Sequence, residues 1–121
     1  MKKTVFKHLS NQHGVTLIEL LAVIVILGIL AAVAVPAVLN NIQTANTNAD
    51  LAAVKIIEDA TQRYLIENTD QIPATGTTNI TIATLVTNGY LDSAPNEPST
   101  GDAYTSVTID SNGKVTAVNT N

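Results

Sequence analysis

The chain has 121 residues, no cysteine and a formal net charge of −4. This length fits one domain at most, and a fold outside the cell would have to hold together without disulfides. Without residues 1–14, three lysines would be lost and ten acids would face Lys55, Arg63 and Lys114, giving a side-chain charge of 3 − 10 = −7. Such an acidic surface repels phosphate backbones, so we expect no direct nucleic-acid binding.

The N-terminal third divides into a basic stretch and an apolar stretch. Residues 1–14 are short, basic and without a long apolar run. In residues 15–39 the only ionisable side chain is Glu19, and the run from Leu20 to Val35 contains only apolar residues and one glycine. A helix of about 25 residues, rising about 1.5 Å per residue, can cross a bilayer core of about 30 Å. Lysines before the segment, and none close after it, predict a single-pass helix whose N-terminus is cytoplasmic.

The segment from Ile42 to about Asn68 keeps a helical pattern but becomes amphipathic. No Gly or Pro interrupts it, so we expect one helix that continues from the apolar segment and ends before Pro73. On its polar side, Asp59 and Arg63 are spaced to form an i,i+4 ion pair.

Apolar residues of this amphipathic segment recur at three- and four-residue steps and include Ile57 and Leu65. We expect a stripe of six to form the floor under a small sheet, with Ile56 filling volume and Lys55 on the wet face. The six residues of the predicted stripe are Ala49, Ala52, Ala53, Ile56, Ala60 and Tyr64.

Residues 72–103 are loop-rich in this interpretation. A short apolar element, IATLVTNGYL, predicts a brief helix closed by Gly89 at its C-cap. Pro95 and Pro98 favour irregular structure after it. The carboxylates of this region and the tail (Asp92, Glu97, Asp102 and Asp110) are scattered, without the regular spacing of a calcium loop, so we expect solvated side chains and no metal site.

The C-terminal segment, AYTSVTIDSNGKVTAV, predicts a β-hairpin. Pairing Asp110 with Lys114 around Ser-Asn-Gly places opposite charges together and suits a type I turn followed by Gly113 in the left-handed region. In this register Ile109 pairs with Val115. Farther along, Val107 would face Ala117, and Thr108 would face Thr116 on the other side. The predicted fold class is therefore α+β, with a long N-terminal helix packed on a small antiparallel sheet and residues 40–121 forming a small globular domain.

The junction between the basic and apolar stretches carries the functional signal. The sequence QHGVTLIELLAVIVILGILAAVAVPAV resembles the N-terminus of type IV pilins and of type II secretion pseudopilins. The matching positions are Gly14, Glu19, Gly28 and Pro36, whereas Val15 stands where this family most often has phenylalanine. The resemblance covers about a third of the chain.

The resemblance implies a structural subunit of a pilus or pseudopilus, with a pilin fold and no enzymatic activity. A prepilin peptidase would cut after Gly14 and methylate the new amine of Val15, leaving residues 15–39 as a transmembrane and polymerisation helix. The implied partners are further copies of the chain, the assembly machinery of the cytoplasmic membrane, and lipid before assembly. The precursor would lie in that membrane and the product in an extracellular or envelope filament, serving adhesion, motility, secretion or DNA uptake.

Glu19 is the residue on which this interpretation depends most. An acid inside a membrane helix costs roughly 2.5–3.5 kcal/mol on insertion scales, and such residues are usually paired. Glu19 lies only about 6 Å along the helix from the Val15 amine, and in a filament it could meet the amine of a neighbouring copy. The simpler alternative is a Glu that extends to the nearby membrane surface.

Gly28 and Pro36 weaken the apolar helix. Pro36 lacks an N–H and its ring crowds the carbonyl of Ala32. Gly28 is two turns earlier and is itself a poor helix former. In related filaments the stretch between such residues can lose helical structure and let the fibre extend. A plain kink is the simpler alternative.

A second hypothesis is a secreted or anchored binding module that does not polymerise. Ala32-Val33-Ala34 matches the A-x-A pattern of ordinary signal peptidase, and a cut after Ala34 would release a soluble acidic protein. The length of the apolar run and Glu19 within it argue against that cut. Both histidines, His8 and His13, lie in the predicted leader, so the mature part offers no His/Cys metal set and no nucleophile–base pair, and we expect no cofactor.

Overall fold

A computed structural model describes the backbone of residues 4–121 and the side chains of residues 16–121. By its internal contacts the chain divides into two compact units, one ending at Ile42 and the other spanning Gln43–Asn121. Each unit is described by itself below.

The principal helix, α1, runs over Thr4–Glu67 and contains Pro36. It ends before Asn68, whose φ of −127° and ψ of 60° lie outside the helical region. The main-chain N–H of Asn68 donates the last helical hydrogen bond, 2.9 Å to the carbonyl of Tyr64, and its side-chain amide donates a second 2.9 Å bond to the same carbonyl. A short 3₁₀ turn, Thr69–Gln71, follows.

The second unit contains a three-stranded antiparallel sheet in the order β1-β2-β3. The strands are β1 (Thr77–Thr81), β2 (Tyr104–Asp110) and β3 (Val115–Thr120). A short helix, α2 (Ile82–Thr87), follows β1 directly. The long helix and small antiparallel sheet confirm the predicted α+β class.

The core lies between α1, α2 and the sheet. Ile57 of α1 and Val107 and Ile109 of β2 have no exposed surface. Thr61 is also fully buried, and its hydroxyl donates a 2.8 Å hydrogen bond to the carbonyl of Ile57, so the polar group is satisfied without leaving the helix. The other core residues are Ala60, Tyr64, Leu65, Ile80, Ile82, Leu85, Leu91 and Tyr104.

The predicted apolar stripe of α1 is rotated relative to the buried face. Ile56 is 58% exposed and Ala52 is exposed, whereas Ile57 and Leu65 are buried. Ala60 and Tyr64 belong to the core as predicted, and Ala53 packs against it. Naming Ile56 as the residue that fills core volume was therefore wrong, because the face that meets the sheet is centred one residue farther along.

The polar side of α1 also differs from the prediction. Asp59 pairs with Lys55 at 3.1 Å, one turn earlier, and this pair is well exposed. The guanidinium of Arg63 instead donates a 3.2 Å hydrogen bond to the carbonyl of Tyr90. The expected Asp59–Arg63 pair is thus replaced by a bond that ties α1 to the segment after α2.

The hairpin turn matches the prediction near its tip. Asp110 and Lys114 are joined by a 2.9 Å main-chain hydrogen bond, Gly113 has a φ of 74°, and Ile109 pairs with Val115. Beyond that pair a β-bulge shifts the register, so that Val107 faces Val118 and not Ala117. The bulge adds one residue to β3, which moves Thr116 out of its expected pairing with Thr108.

The loop-rich region 72–103 contains one strand that was not predicted. β1 pairs with β2 along its whole length, from Thr77 opposite Asp110 to Thr81 opposite Ser106. The hydroxyl of Thr81 then accepts a 3.2 Å hydrogen bond from the N–H of Thr84, capping α2. The predicted brief helix is present, and Gly89 follows it with a φ of 79°.

Candidate functional site

The first unit presents an unusually apolar helix surface. All side chains from Thr16 to Ile42 are exposed in the single chain, and the large apolar ones are 50–73% exposed. A soluble monomer rarely exposes a contiguous apolar surface of this size, so the surface marks contact with lipid or with other protein.

α1 contains the one stretch among the described residues that is long and apolar enough to cross a membrane. Its most apolar window reaches a mean hydropathy of 3.0, and none of that window is buried. A signal sequence near an N-terminus would meet the same criterion. Length and hydropathy therefore agree with a membrane anchor, and the surrounding residues must decide between an anchor and a signal sequence.

Glu19 is the acid within this surface. It is exposed, and no other described side chain forms an ion pair with it. The neighbouring Leu20 and Leu21 are 62% and 57% exposed, so the carboxylate is set among apolar groups. Among the side chains that the structure describes, residues 16–121, none gives Glu19 a compensating charge.

Gly28 is not required by packing within the chain. A methyl group added to its Cα would meet no atom within 4 Å, and its φ is not positive. The same helix accommodates Pro36 at an interior position. The structure places both residues on the apolar helix with Glu19, as the sequence predicted, but gives no local contact that explains the glycine.

The predicted processing site lies outside the side chains that the structure describes. Gly14 and Val15 fall before residue 16, where side-chain description begins. Cleavage and methylation at this junction therefore remain predictions from sequence.

Side chains near the end of α1 contact Tyr90, in the segment that follows α2. The hydroxyl of Tyr90 donates a hydrogen bond to Glu67 Oε2, and the rings of Tyr64 and Tyr90 meet edge to face with centroids 5.5 Å apart. The bond to the Glu67 carboxylate raises the pKa of the Tyr90 hydroxyl above its usual value, and burial adds to this shift. Together with the Arg63 contact, these interactions fix the segment after α2 against the helix.

In the hairpin of β2 and β3, the side chain of Asp110 holds the turn. One carboxylate oxygen accepts hydrogen bonds from the N–H of Asn112 at 2.8 Å and from the N–H of Lys114 at 3.0 Å. These two bonds, with that of Lys114 the larger cause, lower the pKa of Asp110. Charge-assisted bonds of this kind stabilise a turn only while the carboxylate is ionised.

Three large apolar side chains of the second unit are exposed as well; the sequence interpretation placed Ile56 in the core and did not single out Leu51 or Ile66. Leu51, Ile56 and Ile66 are 63%, 58% and 75% exposed. Ile56 and Ile66 each adjoin a buried apolar residue, Ile57 and Leu65, so the apolar pattern alone could not separate exposed from buried positions. Among the described residues no group of three or more His, Cys, Asp or Glu side chains is placed to hold a metal ion.

Comparison with known proteins places the apolar helix in a recognised motif. A family model described as the prokaryotic N-terminal methylation motif matches residues 9–35. This match includes Gly14, Val15, Glu19 and Gly28, but Pro36 lies just beyond it.

The chain is also similar along most of its length to proteins named type II secretion system core protein G. It is 32% identical to the protein from Vibrio cholerae over 101 residues, which cover 76% of this chain and 68% of the relative. It is 30% identical to that from Klebsiella michiganensis over 106 residues, covering 77% and 72%. With the Pseudomonas aeruginosa protein it is 42% identical over 58 residues, covering 48% and 41%. No solved structure matches the chain significantly.

Proposed function

The chain belongs to the family of the type II secretion system core protein G, a family of pseudopilins, and on that premise we propose that it is a structural subunit that polymerises into a pseudopilus through its apolar helix. The observation that carries the proposal is the exposed apolar surface of residues 16–42 with Glu19 as its acid. A subunit that is held in the membrane and polymerises through its helix needs such a surface for both contacts.

Apolar burial alone would not drive the helix out of the membrane. Lipid tails are as apolar as leucine, so a Leu or Ile gains little on moving from lipid to a helix–helix contact. An acid in the membrane, by contrast, costs roughly 2.5–3.5 kcal/mol on insertion scales. Pairing Glu19 with a cation in the filament would relieve that cost. The acid therefore supplies a preference for the assembled state that the apolar side chains do not.

The cation that we propose is the amine of Val15 on a neighbouring copy. A prepilin peptidase would create this amine by cutting after Gly14, and its methylation would keep it basic. Within one copy the amine and Glu19 lie about 6 Å apart along the helix axis, so a neighbouring copy displaced by about one helical turn would bring its amine level with Glu19. An unpaired buried charge is strongly destabilising, and copies that assemble out of register would leave two of them.

Gly28 and Pro36 contribute to the same helix in a different way. Since a methyl group added at Gly28 would meet no atom of another turn or element within 4 Å, we propose that its lack of a side chain serves close helix approach or local unwinding in the filament. Pro36 removes one main-chain hydrogen bond about two turns later. Before assembly the segment would stay helical, because unsatisfied main-chain groups are costly in lipid.

The proposed life cycle places the precursor in the cytoplasmic membrane and the mature subunit in an envelope filament. Its partners would be the prepilin peptidase, other copies of the chain, the secretion assembly machinery and lipid. The name of the relatives favours secretion over adhesion, motility or DNA uptake.

Two measurements test the proposal. Mass spectrometry of the mature protein should find an N-terminus at Val15, carrying one additional methyl group. A terminus at Val35 would support the alternative, a binding module released by signal peptidase after Ala34. Electron microscopy of cells that overproduce the wild-type chain should then show filaments containing it, and their complete absence would contradict the structural role.

A further inference from the structure

The second unit carries an apolar groove at the end of its sheet. The groove has a volume of about 440 Å³ and lies where α2 approaches the start of β2. Its lining residues are Ile82, Ala83, Val86, Thr87, Ala94, Tyr104 and Thr105. Ala83, Thr87, Ala94 and Thr105 are exposed, so the groove opens to the outside of the domain.

The groove differs in charge from the rest of the domain. Residues 43–121 contain three basic and nine acidic side chains, a formal charge of 3 − 9 = −6. None of the described residues that line the groove is charged. Two copies of so acidic a domain repel each other through most of their surfaces, so an uncharged patch is where they can approach at least electrostatic cost.

An open filament places a second condition on the contact. If the groove met the same groove on another copy, the contact would be two-fold and closed, and it could not propagate. It must therefore meet a different, complementary surface. Ile66 offers one, since it is 75% exposed, more than any other large apolar side chain described in this unit, and it belongs to α1 and not to the groove.

We propose that the groove receives Ile66 from the outer face of α1 on a second copy of this chain. The contact rests on the proposed pseudopilus and adds to it a domain–domain interface separate from the apolar helices. The contact is heterologous, because each copy supplies one groove and one Ile66. A row of copies joined in this way has a free groove at one end and a free Ile66 at the other, so it can keep growing.

The chain lacks cysteine, which allows a clean crosslinking test. The full-length chain carrying Ile66→Cys together with Ala83→Cys is assembled in cells and treated with a short bismaleimide. We expect a ladder of covalent multimers extending beyond the dimer. The matched control pairs Ile66→Cys with Thr77→Cys, an exposed position on β1 outside the groove, and should give no ladder.

Filaments are counted by electron microscopy in the same samples. Filaments without a ladder from the groove pair, or an equal ladder from the control pair, would overturn the groove contact while leaving the pseudopilus proposal in place. No filaments from the wild-type chain would overturn the pseudopilus proposal itself. As a second variant, Ala83→Arg places a charge in the groove and should reduce filament number several-fold, whereas Thr77→Arg should not.

Discussion

Ile56 and Ile57 are adjacent in α1, yet Ile56 is 58% exposed and Ile57 has no exposed surface. A helix turns by about 100° per residue, so one step moves a side chain from the flank of the packed face to its centre. Because the two residues are chemically identical, substituting each in turn tests which face of α1 packs against the rest of the domain.

Ile57→Ala should destabilise the domain by about 2–5 kcal/mol, because it removes buried methyl groups and leaves a cavity. Ile56→Ala should change the free energy of unfolding by no more than about 0.5 kcal/mol, as exposed substitutions usually do. Urea denaturation of a fragment spanning residues 40–121, followed by circular dichroism, measures both. Equal losses of unfolding free energy for the two variants would mean that the packed face of α1 is assigned incorrectly.

The same pair shows where sequence reasoning reaches its limit. The recurrence of apolar residues at three- and four-residue steps identified the second part of α1, but alanines recur at both helical steps and fit two rotations equally well. Only the packing of the core, which buries Ile57 in one cluster with Val107 and Ile109, decides between them. β1 was missed because its sequence, TTNIT, has a single large apolar residue and becomes a strand by pairing with β2. The Asn-Gly turn was predictable, since Gly113 meets a local conformational demand, whereas the bulge beyond it depends on the whole sheet.

For the proposed assembly helix, the chemically unusual residues could be recognised from the sequence, whereas the exposure of the apolar surface is seen only in the structure. Glu19 and Gly28 could be named because an acid and a glycine are conspicuous in an apolar run. The groove near Ala83 could not be found from sequence, because its residues come from α2, the following loop and β2, and none is unusual by itself.

Gly113→Ala should destabilise the hairpin for two reasons. Its φ of 74° is costly for a residue with a Cβ, by about 1–2 kcal/mol, and the new methyl would lie 3.1 Å from Cδ1 of Ile72. Gly76→Ala is the matched control, with the same φ of 74° but no atom within 4 Å of the new methyl. Thermal unfolding of both variants should show the larger loss at Gly113. If Gly76→Ala lowered the melting temperature as much as Gly113→Ala or more, the Ile72 side chain would have to move aside at little energetic cost.

The turn held by Asp110 should make stability depend on pH in the acid range. Its pKa in the folded chain is lowered from 3.8 by the N–H groups of Lys114 and Asn112, so the ionised form favours folding. That contribution is fully present above pH 3.8 and is lost as the pH falls through the lower folded-state pKa. Asp110→Asn should therefore flatten the decline of the melting temperature at acid pH.

The pH experiment needs a control carboxylate outside the turn. Asp92→Asn, at an exposed loop position, removes one acid without touching the hairpin. If Asp110→Asn and Asp92→Asn gave the same acid-range melting curve, the hydrogen bonds of the turn would not be the source of the effect.

Gly28→Ala separates helix stability from assembly. Alanine is a better helix former by about 1 kcal/mol, and no neighbouring atom obstructs it, so the single chain should fold and insert normally. If glycine serves close approach or unwinding in the filament, filament number or extensibility should fall. Both are measured by microscopy of sheared filaments and by pulling single filaments. Filaments of normal number and extensibility would remove Gly28 from the assembly role.

The proposed pairing of Glu19 with a neighbouring amine is tested most directly by counting filaments formed by Glu19→Ala against the wild-type chain at equal amounts of membrane-inserted subunit. Removing an acid from the apolar helix should leave insertion intact or improve it, because roughly 2.5–3.5 kcal/mol of insertion cost disappears. Assembly should nevertheless fall by at least tenfold, whereas Asp70→Ala, which removes an exposed acid of the domain, should leave it unchanged. Wild-type filament numbers from Glu19→Ala, with normal processing at Val15, would contradict polymerisation driven by pairing of Glu19 with a neighbouring amine.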